Sequence, residues 1–330
     1  MVTSFLYMCD GVSIHDKNFI DSLSFRSNVE LLNVSEPSIS SPAELINSLN
    51  PKVIIVTPIG PLIDFIPENY AGAVIGISLA FDLNEVKTKT EHSETVTRLK
   101  RLDGTVVDSH YTKRKLLEEF GYQGSVRQII YGLRNPLMIY PLQEDHKLNR
   151  LIVTRTWTPL HNNELILEAF LSIPPEFALT VAFLEPQNSY RQMTKNERLQ
   201  LESAGVEFLK PMLNEDLQKT LMNYGVYVSA STSDGSSISL LEAMNSKRIC
   251  LVPDFPTNEE IIINGKNGFL FQNGNKESLV ENIIKIQSLT PQEAECIGNS
   301  ARQRVNEIAD WEKHSTALAE FCLMFEEKTK

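Results

Sequence analysis

The sequence predicts an α/β protein of two successive domains, each a parallel sheet with crossover helices. Short β-like apolar runs alternate with helical stretches twice over, before and after a proline-bearing interruption. The length of 330 residues exceeds what one hydrophobic core usually serves. A content of 42% hydrophobic and 22% charged residues, with 15 Gly and 16 Pro, excludes collagen-like, low-complexity and disordered chains.

In the first half the expected strands are Thr3–Met8, Val29–Val34, Lys52–Thr57, Ala73–Ser78, Thr105–Val107 and Val126–Ile130. Ser41-Pro42-Ala43-Glu44 reads as a helix start, with Ser41 as cap, Pro42 in the first turn and Glu44 closing a capping box. Pro58-Ile59-Gly60-Pro61 follows a strand and cannot be helix interior, so it is a loop at a strand's carboxyl end. Between Leu133 and Asn149 two prolines and a charged cluster break every period. This divides the chain into a first domain over 1–133, a linker over 134–150 and a second domain beginning at 151.

The second alternation places strands at Leu151–Thr154, Ala178–Phe183, Val206–Leu209, Val226–Ser229, Arg248–Val252 and Gly268–Phe271. Helices are expected at His161–Leu171, Thr194–Ser203, Glu215–Asn223, Ser237–Asn245, Asn258–Ile263, Lys276–Ser288 and Pro291–Ile308. Asn214 and Asn275 are the expected N-caps of their helices, and Thr290-Pro291-Gln292-Glu293 is a second capping box. Two such domains in succession point to a ligand site in a cleft between them, outside the carboxyl ends of both sheets.

Charge and cysteine content narrow the function. With 31 basic and 42 acidic residues the chain carries −11, against a nucleic-acid surface, and 24 of the acidic residues lie after residue 150. Cys9, Cys250, Cys296 and Cys322 form no C-x-x-C pair and read as reduced, mostly packed thiols. Neither a signal-like start nor a bilayer-length apolar run is visible, so a cytoplasmic protein is expected, at most peripheral to the inner face of the membrane. Arg98, Lys100, Arg101, Lys113, Arg114 and Lys115 are the basic concentration of the first half; they are either a solvated face or a surface for anionic lipid. No metal-ligand spacing is present.

The most informative segment is Ser231-Thr232-Ser233-Asp234-Gly235-Ser236-Ser237-Ile238, leading into Ser239-Leu240-Leu241-Glu242-Ala243-Met244. A strand entering a small-residue loop and then a helix presents backbone N–H groups and a positive dipole end, which is an anion site. Asp234 before the helix and Glu242 about six residues inside it stand roughly 9 Å apart along the axis. Two acidic acceptors flanking an N–H cradle suit a diphosphate with hydroxyls at both ends, as in a nucleotide sugar. The alternatives are that Asp234 only caps the helix and that Glu242 faces solvent.

This segment resembles the donor-site signature of glycosyltransferase family 4, of the glycosyltransferase-B fold. An acidic residue and a Glu eight positions later are followed by Ala-Met, a strand (Ile249-Cys250-Leu251-Val252-Pro253) and Glu260-Ile261-Ile262-Ile263-Asn264-Gly265. Asp310-Trp311-Glu312 resembles the family's closing segment, whose helix, here 310–330, crosses back to the first domain. The resemblance implies two Rossmann-like domains facing a cleft, and a retaining, metal-independent hexosyl transfer from a nucleotide sugar, UDP or GDP type unspecified, with no cofactor. The acceptor is a glycan or lipid-linked hydroxyl, in keeping with polysaccharide biosynthesis. Glu242 would bind the ribose, and Asp234, one methylene shorter than the family's Glu, the transferred sugar. Gly235, Ser236, Ser237 and Ile238 would offer N–H groups to the diphosphate, with Lys210-Pro211-Met212 at the base and Glu260 in the Glu-Ile-Ile element. Arg155 would neutralise the leaving diphosphate, with His161 at the family's Lys position or merely a polar residue at a helix start.

The first domain departs from the pattern. It offers one glycine, Gly11, where paired glycines are common. Asp82 is either a hydroxyl ligand or the cap of the next helix. These departures, with the Asp and His in the signature, keep open a catalytically weak or inactive transferase-like subunit that binds glycan or a partner. A dehydrogenase is disfavoured, since no G-x-G-x-x-G opens either half.

Overall fold

The computed structural model describes residues 4–12, 14–24, 26–37, 41–131, 133, 147–186, 190–210, 212 and 214–328. Contacts divide the chain into one unit of Met1–Arg134 with Asp310–Lys330 and another of Asn135–Ala309. Most of the segment expected as a linker, 134–146, lies outside the described residues.

The first unit is built on strands β1 (Phe5–Cys9), β2 (Val29–Asn33), β3 (Val53–Thr57), β4 (Ala73–Ile77), β5 (Gly104–Val107) and β6 (Ser125–Gln128). They form one parallel sheet in the order β2-β1-β3-β4-β5-β6. Central strands read as continuous apolar runs, Phe-Leu-Tyr-Met-Cys in β1 and Val-Ile-Ile-Val-Thr in β3, because both faces are covered, and every residue of both is buried. Edge strands β2 and β6 admit Glu30, Asn33, Arg127 and Gln128. One core cluster joins Leu6, Met8, Ile54, Val56, Ile63 and Leu116. The closing helix Trp311–Lys328 packs against this sheet and against the helix Ile14–Ser24. Gly104 makes room for it: a Cβ there would lie 2.6 Å from the Phe325 ring. Lys52 and Glu326 pair at 3.0 Å on the same seam, and Leu133 bridges Asp310 where the chain returns.

The second unit holds β7 (Arg150–Val153), β8 (Thr180–Leu184), β9 (Val206–Leu209), β10 (Val226–Val228), β11 (Ile249–Pro253) and β12 (Phe269–Phe271). Their parallel order is β12-β11-β10-β7-β8-β9. A core of Leu151, Val153, Trp157, Phe183, Val226, Val228, Leu251 and Phe269 fills one face. Two parallel six-stranded sheets bear out the predicted α/β class.

Strand limits differ from expectation by a residue or two, the usual fraying of ends. Five helix starts need correction; those expected at Thr194 and Asn258 lie at Lys195 and Pro256. The helix expected from His161 begins at Asn163, because Asn162 takes a left-handed conformation (φ 49°) and holds His161 in the preceding turn. The helix expected from Ser237 begins at Ile238, so Glu242 is its fifth residue and stands only about 6 Å along the axis from its start. Asn214 is the first residue of its helix, not its cap. Thr290 and Glu293 form the expected capping box, and Asn275 caps through the Ser278 amide at 2.9 Å. Cys9, Cys250 and Cys322 are buried free thiols and Cys296 is exposed. Among the described residues no helix is long and apolar enough to cross a membrane.

Candidate functional site

In the second sheet the strand order reverses between the parallel neighbours β7 and β10: β8 and β9 lie on one side of β7, and β10 to β12 on the other. Loops leaving two such strands part and open a crevice at their carboxyl ends. The loop after β7 carries Arg155 and His161. The loop after β10 carries Asp234 to Ser237 and feeds the helix Ile238–Asn245. Thr232 ties the two loops, its amide donating to the Leu160 carbonyl at 2.8 Å.

Arg155 and Asp234 meet here, Nη2 donating to Oδ2 at 2.7 Å with side chains 19% and 21% exposed. The other arm of the guanidinium, Nη1, reaches the hydroxyls of Ser237 at 3.4 Å and Ser239 at 3.3 Å. Its Nε is buried with no hydrogen-bond partner among the described residues. Asp234 accepts the Gly235 amide on Oδ1 at 3.0 Å, so it is not the helix cap. Ser237 holds the cap position and makes no side-chain cap bond, which leaves the first helical N–H groups to other acceptors. Ser236 and Ser237 are buried.

Glu242 faces inward and is buried, contrary to a solvent-facing alternative. Gln218 donates to its Oε1 at 3.4 Å, which brings the helix Asn214–Leu221 beside it. Lys210 and Met212 lie in the connection between β9 and that helix; Lys210 is exposed and Met212 half-buried. Pro211 lies outside the described residues. β9 stands two strands from β7, roughly 10 Å away. Glu260 sits on the short helix Pro256–Ile261, its carbonyl accepting from Arg304 at 2.8 Å. Thr257, one turn before it, donates to the Asp234 carbonyl at 2.7 Å.

His161 is held by its Nδ1, 2.9 Å from the Thr156 carbonyl. The Thr156 hydroxyl lies 3.1 Å from the same nitrogen; the carbonyl only accepts, so its shorter contact assigns the hydrogen to Nδ1, and a neutral ring of that tautomer presents the Nε2 lone pair. Burial, and after it the Arg155 charge, lower the His161 pKa below the usual 6.5.

Asp82 and Gly11 lie in the first unit. The amides of Ile59 (2.8 Å) and Leu79 (3.3 Å) donate to Asp82 Oδ2, and the Ser78 hydroxyl donates to Oδ1 at 2.6 Å. Asp82 is the second residue of the helix Phe81–Asn84 and staples two loops, rather than capping the helix. The residue is only partly exposed and its carboxyl is enclosed; that burial pushes its pKa up to about 6 against the pull of these hydrogen bonds. Gly11 has φ 78°, and its amide donates to Asn33 at 2.9 Å. The basic residues of this unit do not form one free patch. Arg98 pairs with Asp64 at 2.8 Å, Arg101 donates to the Ile63 and Ile66 carbonyls, and Lys115 is buried against the Asn84 carbonyl.

Sequence reading missed the support behind Arg155. The Tyr227 hydroxyl lies 3.0 Å from that of Ser239 and steadies it, and Asn163 donates to the Arg155 carbonyl at 3.0 Å. The signal for Tyr227 was strand parity, since it sits between the core residues Val226 and Val228 and must face the other side.

Residues 140–304 match the family described as Glycosyl transferases group 1. The chain belongs to the group 1 glycosyl transferases. Among solved structures this transferase is similar to a sucrose-phosphate synthase from Thermosynechococcus elongatus, at TM-score 0.80 and 14% identity over 99% of this chain and 100% of that one. It is similar to Anabaena HepE, described in complex with UDP and glucose, at TM-score 0.74 and 12% identity over 97% and 99%. A third likeness is to an S. aureus TarM mutant in complex with fondaparinux, alpha-GlcNAc-glycerol and UDP, at TM-score 0.68 and 17% identity. It covers 86% of this chain, which spans only 58% of the TarM chain. These likenesses establish the fold, which is that of the glycosyltransferase-B type. No curated protein matches the chain.

Proposed function

We propose that the chain transfers a hexose from a UDP-sugar to a hydroxyl of a glycan or lipid-linked acceptor, with retention at the anomeric carbon and without a metal. The observation that carries this reading is the convergence of Arg155, an uncapped helix start and the buried Glu242 at the crevice between β7 and β10. Uracil is the preferred base because the HepE and TarM complexes contain UDP.

Glu242 accepts the ribose hydroxyls, while Arg155 and the N–H groups of Gly235 to Ile238 take the diphosphate. As the glycosyl C–O bond breaks, negative charge grows on the leaving phosphate, and these fixed donors stabilise it. The acceptor hydroxyl enters on the same face, its oxygen bonds to the anomeric carbon, and its proton passes to a phosphate oxygen of the leaving group. Asp234 and Glu260 serve the transferred sugar. The reading sets the protein in the cytoplasm, where Lys100, Lys113 and Arg114, of the six basic residues grouped in the sequence, would meet an anionic surface around a lipid-linked acceptor.

A second reading, a transferase-like subunit without turnover, is favoured by His161, whose neutral ring offers phosphate no donor. The test is a thermal shift with UDP, GDP and ADP, then turnover across a donor panel with the product linkage determined by NMR. Stabilisation by UDP with donor turnover is expected. UDP binding without turnover favours the second reading, and neither binding nor turnover sinks the transferase reading.

A further inference from the structure

We infer that Asp234 is a displaceable stand-in for the donor's phosphate, so that it selects for a nucleotide still carrying its sugar and helps expel the nucleoside diphosphate afterwards. This rests on the donor-site reading above and adds a selectivity rule to it.

The carboxylate of Asp234 uses its two oxygens as a phosphate would. One sits on Arg155 Nη2 at 2.7 Å and the other on the Gly235 N–H at 3.0 Å. Those are two of the donors the diphosphate needs. The Nη1 arm is held by Ser237 and Ser239, and Ser239 in turn by Tyr227, which fixes the guanidinium in this orientation; its Nε is buried, which leaves Nη2 as the group for which an incoming anion competes with Asp234. Diphosphate therefore enters by exchange, replacing the carboxylate on Nη2.

The displaced carboxylate then stands in a site about four-fifths buried, beside a new negative charge. Without donors it is costly there. Sugar hydroxyls supply donors, whereas a free nucleoside diphosphate brings only acceptor oxygens on that side. Donor binding thus satisfies Asp234, and binding of the bare diphosphate does not. Once the sugar has left with the acceptor, the carboxylate loses its partners and returns to Arg155, competing with the product.

The test is calorimetric binding of UDP and GDP, and of UDP-glucose, UDP-galactose, UDP-N-acetylglucosamine and GDP-mannose, to the wild-type chain and to Asp234→Asn. The amide preserves an acceptor for Gly235 and removes the charge that competes for Arg155. The nucleoside diphosphate should bind Asp234→Asn at least about fivefold tighter, the equivalent of roughly 1 kcal/mol. The sugar nucleotide that wild type binds best should bind no tighter. Asp234→Ala should behave alike, guarding against an Asn that re-forms the Arg155 contact, and Asp234→Glu should restore the wild-type ratio.

Unchanged or weaker diphosphate binding overturns the exchange, as does equal tightening of both ligands, which would report only a lost repulsion. In either case wild-type binding leaves the donor-site reading standing. If wild type binds none of these nucleotides, that reading and the exchange fall together.

Discussion

The two units use the two common doubly wound strand orders and spend the crevice each creates in opposite ways. The first runs 2-1-3-4-5-6, reversing between β1 and β3. Counted from its own first strand the second runs 3-2-1-4-5-6, reversing between β7 and β10. At the carboxyl ends of the first sheet the polar groups are taken up by neutral groups of their own and neighbouring loops: Asp10 accepts from Ser35, Gly11 donates to Asn33, and Asp82 collects two amides and a hydroxyl. At the second the charged groups from the two loops turn toward each other, and the helix start between them is left uncapped. Topology makes a crevice in both. Only in the second do opposite charges from two loops meet beside a helix start with no side-chain cap.

The largest expected effect breaks this contrast at its charged end. Arg155→Ala should lower donor turnover by about 10²–10³-fold, the scale of removing one group that stabilises charge only as it develops. Arg155→Lys keeps the charge but loses the fork and should recover only part of it. Steady-state kinetics on the best donor is the check, and a loss under about threefold would place the leaving-group site elsewhere.

Much of the second crevice was legible in the sequence because its signal is local. A small-residue loop between an apolar strand and an Ala-Met helix, with Asp234 and Glu242 at fixed spacing, needs no partner to be read. Strand order was not legible, since it is set by pairing between residues far apart in the chain. The same limit hid the Arg155–Asp234 contact: each residue stood out alone, but 79 positions separate them. Arg98, Arg101 and Lys115 looked like one basic face because sequence proximity does not reveal that Asp64 and the carbonyls of Ile63, Ile66 and Asn84 already hold them. The expected helix start at His161 failed on one left-handed residue, Asn162.

An intermediate effect sharpens the contrast from the first unit. Asp82→Ala leaves the Ile59 and Leu79 amides and the Ser78 hydroxyl without their acceptor and should cost about 1–3 kcal/mol of folding stability. Affinity for the donor in the second unit should not change. Because burial raises the Asp82 pKa from 3.8 to about 6, the folded chain holds this proton in a range where the unfolded chain has released it. Its contribution is therefore complete below about pH 4 and is lost as pH rises through about 6. Urea unfolding across pH 4–7 measures the slope. Asp82→Asn, which keeps an acceptor oxygen but cannot ionise, should flatten that part of the profile; an unchanged slope would mean another group carries it.

The smallest effect concerns the one member of the charged crevice that arrives without charge. His161 points Nδ1–H at the Thr156 carbonyl, so its free Nε2 is an acceptor until protonated, and its lowered pKa keeps it neutral near pH 7. A diphosphate beside it favours the protonated ring, so binding should take up a proton and tighten as pH falls. His161→Lys supplies a permanent cation and should bind the donor about two- to fivefold tighter at pH 7.5, the range of a partly screened ion pair. Phosphate ionisation also contributes a slope near pH 6, so the comparison is between the two proteins across the same pH series. The wild-type curve should be the steeper, and calorimetry in buffers of different ionisation enthalpy should show proton uptake in wild type that is smaller in His161→Lys. Parallel curves with equal proton uptake would remove His161 from the diphosphate site and leave Arg155 as the cation assigned to it among the described residues.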